Sequence, residues 1–313
     1  MNKGKVLIAA PVHEVLTGGL TELGYELVVR EHITQATAPE QIRDCVGVVT
    51  STRLQLDKQL IDAAPQLGWI GRMGSGMEVI DTAYAAQKGI ACYSSPEGNC
   101  NAVGEHALGM LLSLVRRIGW SQNEMRDKIW KREENRGIEI EGKTVGIIGF
   151  GHTGRAFSKK LSGFDCRILA YDKYDRANVP ASVSCCNTLD AIYNEADIVS
   201  FHVPLHEDTV HYMNSAFIDR MRKPFILINT SRGQVADTVS ILDGLKSGKL
   251  TGACLDVYEQ EPMASMSAQV SAAIEELGKM PNVVMTPHIA GYTYEALYKM
   301  SAVLCKKIAA HNN

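Results

Sequence analysis

Three polar side chains with complementary chemistry, Arg232, Glu261 and His288, follow three different apolar runs in the second half of the chain. The Val- and Ile-rich runs before them predict strands of a parallel sheet, and ligands collect where such strands end. An arginine can hold an anion through its fork of N–H donors, while a histidine gains and loses a proton near neutral pH. Each residue alone also fits an ordinary structural role, but together they predict one catalytic site at the edge of a sheet.

A glycine-rich loop earlier in the chain predicts a nucleotide site. Gly149, Gly151 and Gly154 form the spacing G-x-G-x-x-G after an apolar strand and before a helical pattern. Glycines in this setting let the backbone approach a pyrophosphate at the helix N-terminus. Asp172 ends the next strand, 18 positions after Gly154, where its carboxylate can accept hydrogen bonds from an adenosine ribose. The same charge repels a 2′-phosphate, so the sequence predicts NAD rather than NADP, although Lys173 beside it would tolerate a phosphate.

The composition is that of a globular protein without a strong charge bias. The 313 residues are 45% hydrophobic and 21% charged, and 32 basic against 35 acidic side chains give a formal net charge of −3. A disordered chain would contain fewer apolar residues, and the balanced charge gives no electrostatic reason to expect nucleic acid or a membrane surface as a partner. At roughly 100–200 residues per domain, the length predicts two domains.

The cysteines and histidines give no sign of a disulfide framework or a metal site. Eight cysteines occur without a C-x-x-C pair, which indicates free thiols in a reducing compartment. The neighbours Cys185 and Cys186 lack zinc spacing, and the pair Glu105-His106 has no third ligand at useful spacing. His13 interrupts the first apolar run, so this run predicts a strand rather than a signal peptide, and no stretch reaches the roughly 18 apolar residues of a membrane helix. We therefore expect a cytoplasmic protein without a metal.

Short apolar runs alternate with segments of helical period, which predicts an α/β fold with two doubly wound parallel sheets. The second set of runs contains six strands and the glycine loop, so it predicts a Rossmann domain. An apolar repeat between the two sets, beginning near Val103, predicts a helix that stops at Gly119. The helical pattern of residues 294–310 suggests that the chain returns to the first domain. The predicted strands are 5–9, 25–29, 46–50, 69–70 and 91–93 in the first set and 144–149, 167–171, 197–202, 225–229, 252–256 and 282–285 in the second.

Seven segments spread over nearly the whole chain match the pattern of one enzyme family. They are residues 71–81, 101–106, the glycine loop with Asp172, 202–205, 229–233, 255–262 and 286–291. In these segments the chain resembles the D-isomer-specific 2-hydroxyacid dehydrogenases, which include phosphoglycerate, glycerate and D-lactate dehydrogenases. The resemblance implies hydride transfer between nicotinamide and C2 of a small D-2-hydroxy acid. It also implies a substrate-binding domain of residues 1–98 and 288–313, with a Rossmann domain of residues 99–287 inserted in it.

The resemblance gives each polar residue of the site a role. His288 is the acid/base that protonates the carbonyl oxygen during reduction and takes the hydroxyl proton during oxidation. Glu261 holds the imidazole and favours its protonated form. Arg232 binds the substrate carboxylate and polarises the carbonyl group. The backbone N–H groups of the turn Gly74, Ser75 and Gly76 receive the same carboxylate.

The resemblance also places residues at the cofactor. Asp256 holds the nicotinamide carboxamide, and His152 faces solvent above the pyrophosphate instead of acting as a catalyst. The pair Glu105-His106 is interpreted as a polar structural contact at the domain junction. The expected cofactor-binding residues are Gly149, Gly151, His152, Thr153, Gly154, Asp172, Val203, Pro204, Thr209, Thr230, Ser231, Asp256 and Gly291.

The far end of the substrate is less closely defined. Phosphoglycerate dehydrogenases of this family place an arginine in the loop after the second or third strand, and Arg53 stands slightly displaced from that position. Arg72 and the basic residues of segment 131–136 are further candidates for a phosphate contact, although mixed charges in that segment also fit a solvated surface. The motif 286–293 is similar to that of erythronate-4-phosphate dehydrogenases. We expect 3-phosphoglycerate first, then glycerate or hydroxypyruvate, then another D-2-hydroxy acid.

A second class of protein resembles the same family. The C-terminal-binding-protein corepressors bind NAD, retain the catalytic residues and work through contacts with partners. The chain shows no added disordered tail or basic region of the kind that recruits partners, which favours the enzyme. It also shows one catalytic unit without the C-terminal regulatory domain of many phosphoglycerate dehydrogenases, so serine feedback is not expected. The expected partners are a small carboxylate substrate, with or without a phosphate, and a second copy of the chain in a homodimer.

Overall fold

The computed structural model describes residues 2–174 and 178–311. The chain forms two compact units, residues 1–100 with 292–313 and residues 101–291. Each unit contains a parallel α/β sheet, which is the fold class that the sequence predicts. The boundary after residue 287 expected from the sequence is replaced by one after residue 291. His288 therefore belongs to the second unit, because its loop bonds to the end of that unit's own sheet.

The elements follow one another along the chain in the alternation expected of an α/β protein. They are β1 (Lys5–Ile8), α1 (Glu14–Glu22), β2 (Glu26–Val29), α2 (Ala38–Ile42), β3 (Cys45–Thr50), α3 (Lys58–Asp62), β4 (Trp69–Arg72), α4 (Thr82–Gln87), β5 (Ala91–Ser94), α5 (Pro96–Val115), α6 (Ile118–Arg126), β6 (Thr144–Ile148), α7 (His152–Leu161), β7 (Arg167–Tyr171), β8 (Val183–Cys186), α8 (Asp190–Glu195), β9 (Ile198–Phe201), α9 (Ser215–Arg220), β10 (Phe225–Asn229), α10 (Thr238–Lys246), β11 (Leu250–Leu255), α11 (Ala268–Lys279), β12 (Val283–Met285) and α12 (Tyr294–His311).

The first unit is built from both ends of the chain. Its five parallel strands lie in the order β2-β1-β3-β4-β5. Helix α12 packs on this unit, where Leu304 and Ile308 are buried in the same apolar cluster as Leu16 and Leu20 of α1. The hydroxyl of Ser301 also accepts a hydrogen bond from the backbone N–H of His13 at 3.0 Å. The last helix is therefore part of the first unit, as the helical pattern of residues 294–310 suggests.

The second unit holds a sheet of seven parallel strands in the order β12-β11-β10-β9-β6-β7-β8. Successive residues of each strand enter the apolar clusters on opposite faces, as Ile226 and Leu227 of β10 do, because side chains alternate across a strand. The six strands predicted for this unit are present. The seventh, β8, escapes prediction because it is an edge strand whose two central residues, Ser184 and Cys185, are exposed and break the apolar pattern.

The apolar repeat after Val103 does not end where the sequence predicts. Helix α5 ends at Val115, and a second helix, α6, begins at Ile118 and contains Gly119. The break lies at Arg117, whose φ of 54° is left-handed and incompatible with a continuous helix. A glycine inside a helix is tolerated at a modest cost, so Gly119 is a poor guide to the helix end. Within residues 2–174 and 178–311, no helix combines the length and apolar character needed to cross a membrane.

Candidate active site

Arg232, Glu261 and His288 line one cleft of about 130 Å³ at the carboxyl ends of three neighbouring strands, β10, β11 and β12. The shortest contact in the cleft joins Nδ1 of His288 to Oε2 of Glu261 at 2.6 Å. Both side chains are partly exposed, 43% for the histidine and 33% for the glutamate. The three residues that the sequence singles out are therefore brought together, and two of them form a hydrogen-bonded imidazole–carboxylate pair.

Glu261 is fixed from both sides of its carboxylate. Oε2 bonds to His288, and Oε1 accepts a hydrogen bond from the backbone N–H of Tyr258 at 2.9 Å. Burial alone would raise the pKa of this carboxyl group, but the hydrogen bonds from His288 and from the Tyr258 N–H outweigh burial and lower the pKa. Glu261 is therefore ionised at neutral pH and presents a negative charge to one nitrogen of the imidazole.

His288 is held in an unusual backbone conformation. Its φ of 54° lies in the left-handed region, which residues with a Cβ rarely occupy. The backbone N–H of His288 donates to the carbonyl oxygen of Asp256 at 2.7 Å, which secures the turn. Among the described residues, no group forms a hydrogen bond with Nε2 of the ring. Strained residues of this kind concentrate at functional sites, where the surroundings enforce them.

Asp256 anchors the loop that carries His288. Its carboxylate is fully buried and accepts hydrogen bonds from the hydroxyl of Thr286 at 2.5 Å and from the N–H groups of Ile289 and Ala290 at 2.9 and 2.8 Å. Nε2 of His106 lies 3.0 Å from the same hydroxyl and 3.5 Å from the carboxylate. These contacts lower the pKa of Asp256 against the effect of burial. Asp256 thus positions the loop that carries His288, a role that the sequence does not predict. His106, which also belongs to the second unit, supports the Asp256 carboxylate.

Asn229, the last residue of β10, folds the loop that carries Arg232. Its Oδ1 accepts from the N–H and the hydroxyl of Ser231 at 3.1 and 2.9 Å, and its Nδ2 donates to the carbonyl oxygen of Arg232 at 3.0 Å. Ser231, expected at the cofactor, therefore uses its hydroxyl inside the turn. Thr230 differs, since its buried hydroxyl forms no hydrogen bond with the part of the chain that the structure describes. Asn229 is missing from the predicted site, although an asparagine after a strand is a familiar turn signal.

The glycine loop has the shape that a dinucleotide needs. Gly149 has φ of +91°, and a Cβ there would lie 2.5 Å from the carbonyl oxygen of His202. A Cβ on Gly154 would lie 2.1 Å from the carbonyl oxygen of Gly149. Gly151 caps helix α7 and has open space where its Cβ would stand, so this loop leaves the helix N-terminus accessible. The residues present therefore fit a pyrophosphate bound at this helix N-terminus.

Asp172 lies against the glycine loop, as the sequence predicts for a ribose-binding carboxylate. Its Oδ2 accepts from the N–H of Phe150, between the first two glycines, at 2.6 Å, and its Oδ1 accepts from the N–H of Tyr174 at 2.8 Å. The ammonium of Lys173 points to a different carboxylate, that of Asp208, at 2.6 Å. The lysine that could tolerate a phosphate is therefore already paired with another carboxylate.

The other predicted cofactor residues occupy loops at the same edge of the second sheet. His152 is exposed in the first turn of α7, and Thr153 follows it, partly buried. The hydroxyl of Thr209 donates to the carbonyl oxygen of Pro204 at 2.8 Å and accepts from the N–H of His206 at 2.7 Å, so it closes its own loop. Val203 and Gly291 are partly buried. Thr209 is thus a structural residue of the loop.

The turn Gly74, Ser75 and Gly76 lies in the first unit, after β4. The N–H of Gly74 donates to the hydroxyl of Ser95 at 3.0 Å, and the N–H of Ser95 donates back to the carbonyl oxygen of Gly74 at 2.8 Å. Gly74 therefore cannot offer its N–H to a substrate. The N–H groups of Ser75 and Gly76 form no hydrogen bond with residues 2–174 or 178–311 and are the available donors. Ser95, fully buried, is a residue of this site that the sequence analysis misses.

Arg72 is the basic residue closest to this turn. It is 7% exposed, and its Nη1 donates to the carbonyl oxygen of Met73. A Cβ on Gly74 would lie 2.0 Å from Nη1, so only a glycine leaves room for the guanidinium. The other candidates for a phosphate contact are exposed: Nη1 of Arg53 bonds to the carbonyl oxygen of Glu31, and Arg136 pairs with Glu133, while Lys131 pairs with Glu124 and Arg132 lies on the surface.

These features define a class: an α/β protein with a Rossmann unit that binds a dinucleotide and an imidazole–carboxylate pair at the edge of the same sheet. Comparison with known proteins agrees. Residues 108–290 match the family model described as "D-isomer specific 2-hydroxyacid dehydrogenase, NAD binding domain". A glyoxylate reductase of Thermofilum pendens is 36% identical over 275 residues, which cover 86% of this chain and 79% of that protein.

Two further proteins extend the comparison. A D-3-phosphoglycerate dehydrogenase of Archaeoglobus fulgidus is 30% identical over 305 residues; the match covers 97% of this chain but only 56% of the length of that protein. The crystal structure of a D-lactate dehydrogenase from Aquifex aeolicus, complexed with NAD and lactic acid, has a TM-score of 0.83 at 26% identity and covers 98% of this chain and 95% of that one.

The chain therefore belongs to the D-isomer-specific 2-hydroxyacid dehydrogenase family. Members of this family are NAD-dependent oxidoreductases that act on CH–OH groups, and the cofactor of this chain is a nicotinamide dinucleotide. The resemblance found in the sequence is confirmed at this level. The residue roles and the substrate are separate questions.

Proposed function

We propose that the chain interconverts a small D-2-hydroxy acid and its 2-oxo acid, with Arg232, Glu261 and His288 as its catalytic residues. The observation that carries the proposal is the cleft in which an arginine stands beside a histidine–glutamate pair whose outer ring nitrogen is open. When bound, the nicotinamide supplies or accepts the hydride at C2 of the substrate. The residues of the chain bind the acid, orient it and move the proton.

The proton moves through Nε2 of His288. In the reducing direction the protonated ring gives this proton to the carbonyl oxygen, and in the oxidising direction the neutral ring takes the hydroxyl proton. Glu261 holds Nδ1 at 2.6 Å, which fixes the plane of the ring. Because the pKa of Glu261 is lowered, the glutamate stays charged and stabilises the imidazolium form.

Arg232 binds the carboxylate of the substrate. Its guanidinium offers five N–H donors, so it can donate to the carbonyl oxygen of Ser231 at 2.7 Å and hold a carboxylate at the same time. The planar fork fits two carboxylate oxygens, and its charge polarises the adjacent carbonyl group as negative charge develops on oxygen.

NAD is the proposed cofactor rather than NADP. The carboxylate of Asp172 lies at the glycine loop, where it would repel a 2′-phosphate, and Lys173 is paired with Asp208. We expect kcat/KM to favour NAD clearly. The substitution Asp172→Asn keeps an acceptor for the Phe150 N–H but removes the charge. It should therefore lower the ratio of kcat/KM with NAD to kcat/KM with NADP. Comparable kcat/KM values of the unmodified protein with both cofactors would refute the assignment.

3-Phosphoglycerate is the first candidate substrate, because the chain resembles phosphoglycerate dehydrogenases in its motifs and is 30% identical to one of them over 97% of its own length. Glyoxylate or hydroxypyruvate is the second candidate. It is favoured by the 36% identity to a glyoxylate reductase, whose length the chain covers more completely than that of the phosphoglycerate dehydrogenase. Erythronate 4-phosphate is a further candidate, because the motif of residues 286–293 is similar to that of erythronate-4-phosphate dehydrogenases.

The test is a panel of 2-hydroxy and 2-oxo acids with and without a phosphate, followed by NADH absorbance in both directions. Turnover of 3-phosphoglycerate with a much higher kcat/KM than glycerate supports the first candidate, and the reverse order supports the second. If NADH binds, as measured by fluorescence titration, but no acid of the panel is turned over, the enzyme proposal fails. The corepressor-like class of NAD-binding protein would then take its place.

We also propose a homodimer in the cytoplasm. Helix α6 and the segment after it expose large apolar side chains, among them Ile118, Met125 and Trp130, which is 77% exposed. Apolar side chains in such number mark contact surfaces more often than free surface. Light scattering on the purified protein measures the mass directly, and a monomer at micromolar concentration would contradict the proposal.

A further inference from the structure

A second histidine–carboxylate group lies close to the candidate active site. Nε2 of His211 is 2.8 Å from Oε2 of Glu259, and Nδ1 of the same ring is 3.7 Å from Oδ2 of Asp237. The three side chains, called the His211 cluster below, are all partly buried. The sequence analysis does not identify them. Their ring and carboxylate atoms have the composition of an acid–base site, but both ring nitrogens already face a carboxylate.

The His211 cluster joins three loops that follow three adjacent strands, β9, β10 and β11. His211 lies after β9, Asp237 stands at the start of helix α10 after β10, and Glu259 follows β11. Backbone hydrogen bonds continue the connection, from the N–H of His211 to the carbonyl oxygen of Gln234 at 2.8 Å and from the N–H of Asp237 to that of Met213 at 2.9 Å. The three loops are therefore one bonded layer.

This layer reaches the catalytic residues through two short paths. Glu259 stands two positions before Glu261, and the N–H of Tyr258, next to it in the chain, bonds to Oε1 of Glu261. Gly233, which follows Arg232, packs so closely that a Cβ there would lie 1.8 Å from the carbonyl carbon of Tyr258. A displacement of residues 258–259 would therefore move the Arg232 loop and the Glu261 carboxylate together.

The cluster is better explained by direct hydrogen bonds than by a metal. Its ligand atoms lie within 4.8 Å of one another, as in many divalent-cation sites. However, Oε1 of Glu259 accepts from the N–H of Thr238 at 2.8 Å and Oδ1 of Asp237 accepts from the N–H of Ser240 at 2.6 Å. Each carboxylate keeps one oxygen for the cluster, and both of these oxygens face the ring of His211. Nε2 of His211 bonds directly to Oε2 of Glu259 at 2.8 Å, and its Nδ1 stands 3.7 Å from Oδ2 of Asp237.

We propose that His211 is a positioning residue of the active site: through its hydrogen bond to Glu259 and its contact with Asp237 it fixes residues 258–261 and the Arg232 loop in their working geometry. The proposal rests on the proposed function for its kinetic consequence, because a misplaced Glu261 or Arg232 affects turnover only if these residues catalyse. Its structural consequence, the fixing of the two loops, is independent of that function.

The test compares His211→Gln with His211→Arg. Glutamine removes the imidazole that bonds Glu259, and we expect kcat to fall about tenfold, because small displacements of catalytic groups are costly, while the Kd of NADH is unchanged. Amide hydrogen exchange should become several-fold faster at Tyr258 and Thr238, whose N–H groups are bonded to Glu261 and Glu259. Arginine offers several N–H donors to the two carboxylates, so it should restore both kcat and the slow exchange. His32→Gln, an exposed histidine in a turn of the first unit, is the matched control.

Three results would overturn the proposal. The first is a glutamine variant with the kcat and the exchange rates of the unmodified protein. The second is an arginine variant as impaired as the glutamine variant, which would show that N–H donation to the two carboxylates is not the cause. The third is a loss of turnover in EDTA that Zn²⁺ restores, which would assign the cluster to a metal. If His211→Gln does not fold, Asp237→Asn replaces it as the test variant. This substitution keeps the helix cap and removes one charge from the cluster. If no acid is turned over, the exchange rates at Tyr258 and Thr238 alone decide.

Discussion

Two histidine–glutamate pairs stand at opposite ends of the segment 259–261, and they resemble each other closely. Nδ1 of His288 is 2.6 Å from Glu261, and Nε2 of His211 is 2.8 Å from Glu259. Both histidines have left-handed φ angles, 54° and 48°, and their side chains are 43% and 41% exposed. The difference lies in the second ring nitrogen, which has no described partner in His288 and faces Asp237 in His211. A histidine–carboxylate pair can catalyse proton transfer only where that nitrogen is open to a substrate.

The strongest test of this difference removes each imidazole in turn. His288→Ala should lower kcat by about 10³-fold or more, because it removes the proton donor and acceptor itself, while NADH binding stays nearly unchanged. His211→Gln should cost far less. Steady-state kinetics with the best acid of the panel, together with fluorescence titration of NADH, measure both. Substantial turnover by His288→Ala would contradict the acid/base role. Equal losses of kcat in the two variants would contradict the distinction between the open ring nitrogen of His288 and that of His211, which faces Asp237.

The carboxylates give the next largest contrast. Glu261→Gln keeps the shape of the side chain but removes the charge beside the imidazolium, so kcat for reduction should fall about 10²-fold, and the fall should deepen as the pH rises. Glu259→Gln does not alter the catalytic side chains themselves and retains an oxygen for the N–H of Thr238, so a smaller loss is expected. The pH profile of kcat/KM separates the two variants. A Glu261→Gln profile parallel to that of the unmodified protein would contradict the electrostatic role.

A third imidazole, that of His202, completes the comparison because no carboxylate among the described residues contacts it. Its Nε2 lies 2.8 Å from the hydroxyl of Ser200, its Nδ1 is buried without a hydrogen bond, and burial lowers its pKa to about 3. The unfolded chain binds a proton at this position below about pH 6.5, whereas the folded chain does not. The free energy of unfolding should therefore fall between about pH 6.5 and 3, by about 1.4 kcal/mol for each pH unit.

Urea unfolding at pH 7, 6 and 5 measures this effect. His202→Asn has no imidazole to protonate. Between pH 7 and 5 its free energy of unfolding should therefore fall by about 2 kcal/mol less than that of the unmodified protein. Other groups titrate in both proteins, so the difference between the two curves is the quantity of interest. Parallel curves would show that the His202 ring is protonated in the folded state as readily as in the unfolded chain.

The sequence predicts the α/β class, the glycine loop and the convergence of the three polar residues because each depends on local pattern. Apolar runs place Arg232, Glu261 and His288 after strands, and parallel strands end at one edge. His211 shows why other residues of the site cannot be predicted from the sequence. It lies in an irregular loop after β9, and its importance depends on two carboxylates that are distant in sequence and reach it only when three loops pack together.

The features that the sequence predicts wrongly or does not predict have a similar origin. The exposed edge strand β8 has no apolar pattern, and the helix break at Arg117 depends on a backbone angle rather than on a residue type. The sequence predicts three backbone N–H donors in the turn after β4. In the structure the N–H of Gly74 already donates to the buried hydroxyl of Ser95. Asp256 is likewise more than a cofactor contact, because its hydrogen bonds to Ile289 and Ala290 appear only in the folded loop.

The division of the first unit between the two ends of the chain has a consequence for synthesis on the ribosome. The second unit is a continuous stretch, and all of its strands have been made once residue 291 is complete. The first unit, although it is made first, still lacks α12, whose Leu304 and Ile308 fill its core. Domains usually fold in the order in which they are synthesised. In this chain the nucleotide-binding unit can fold before the unit that precedes it, which must wait with exposed apolar surface for the final helix.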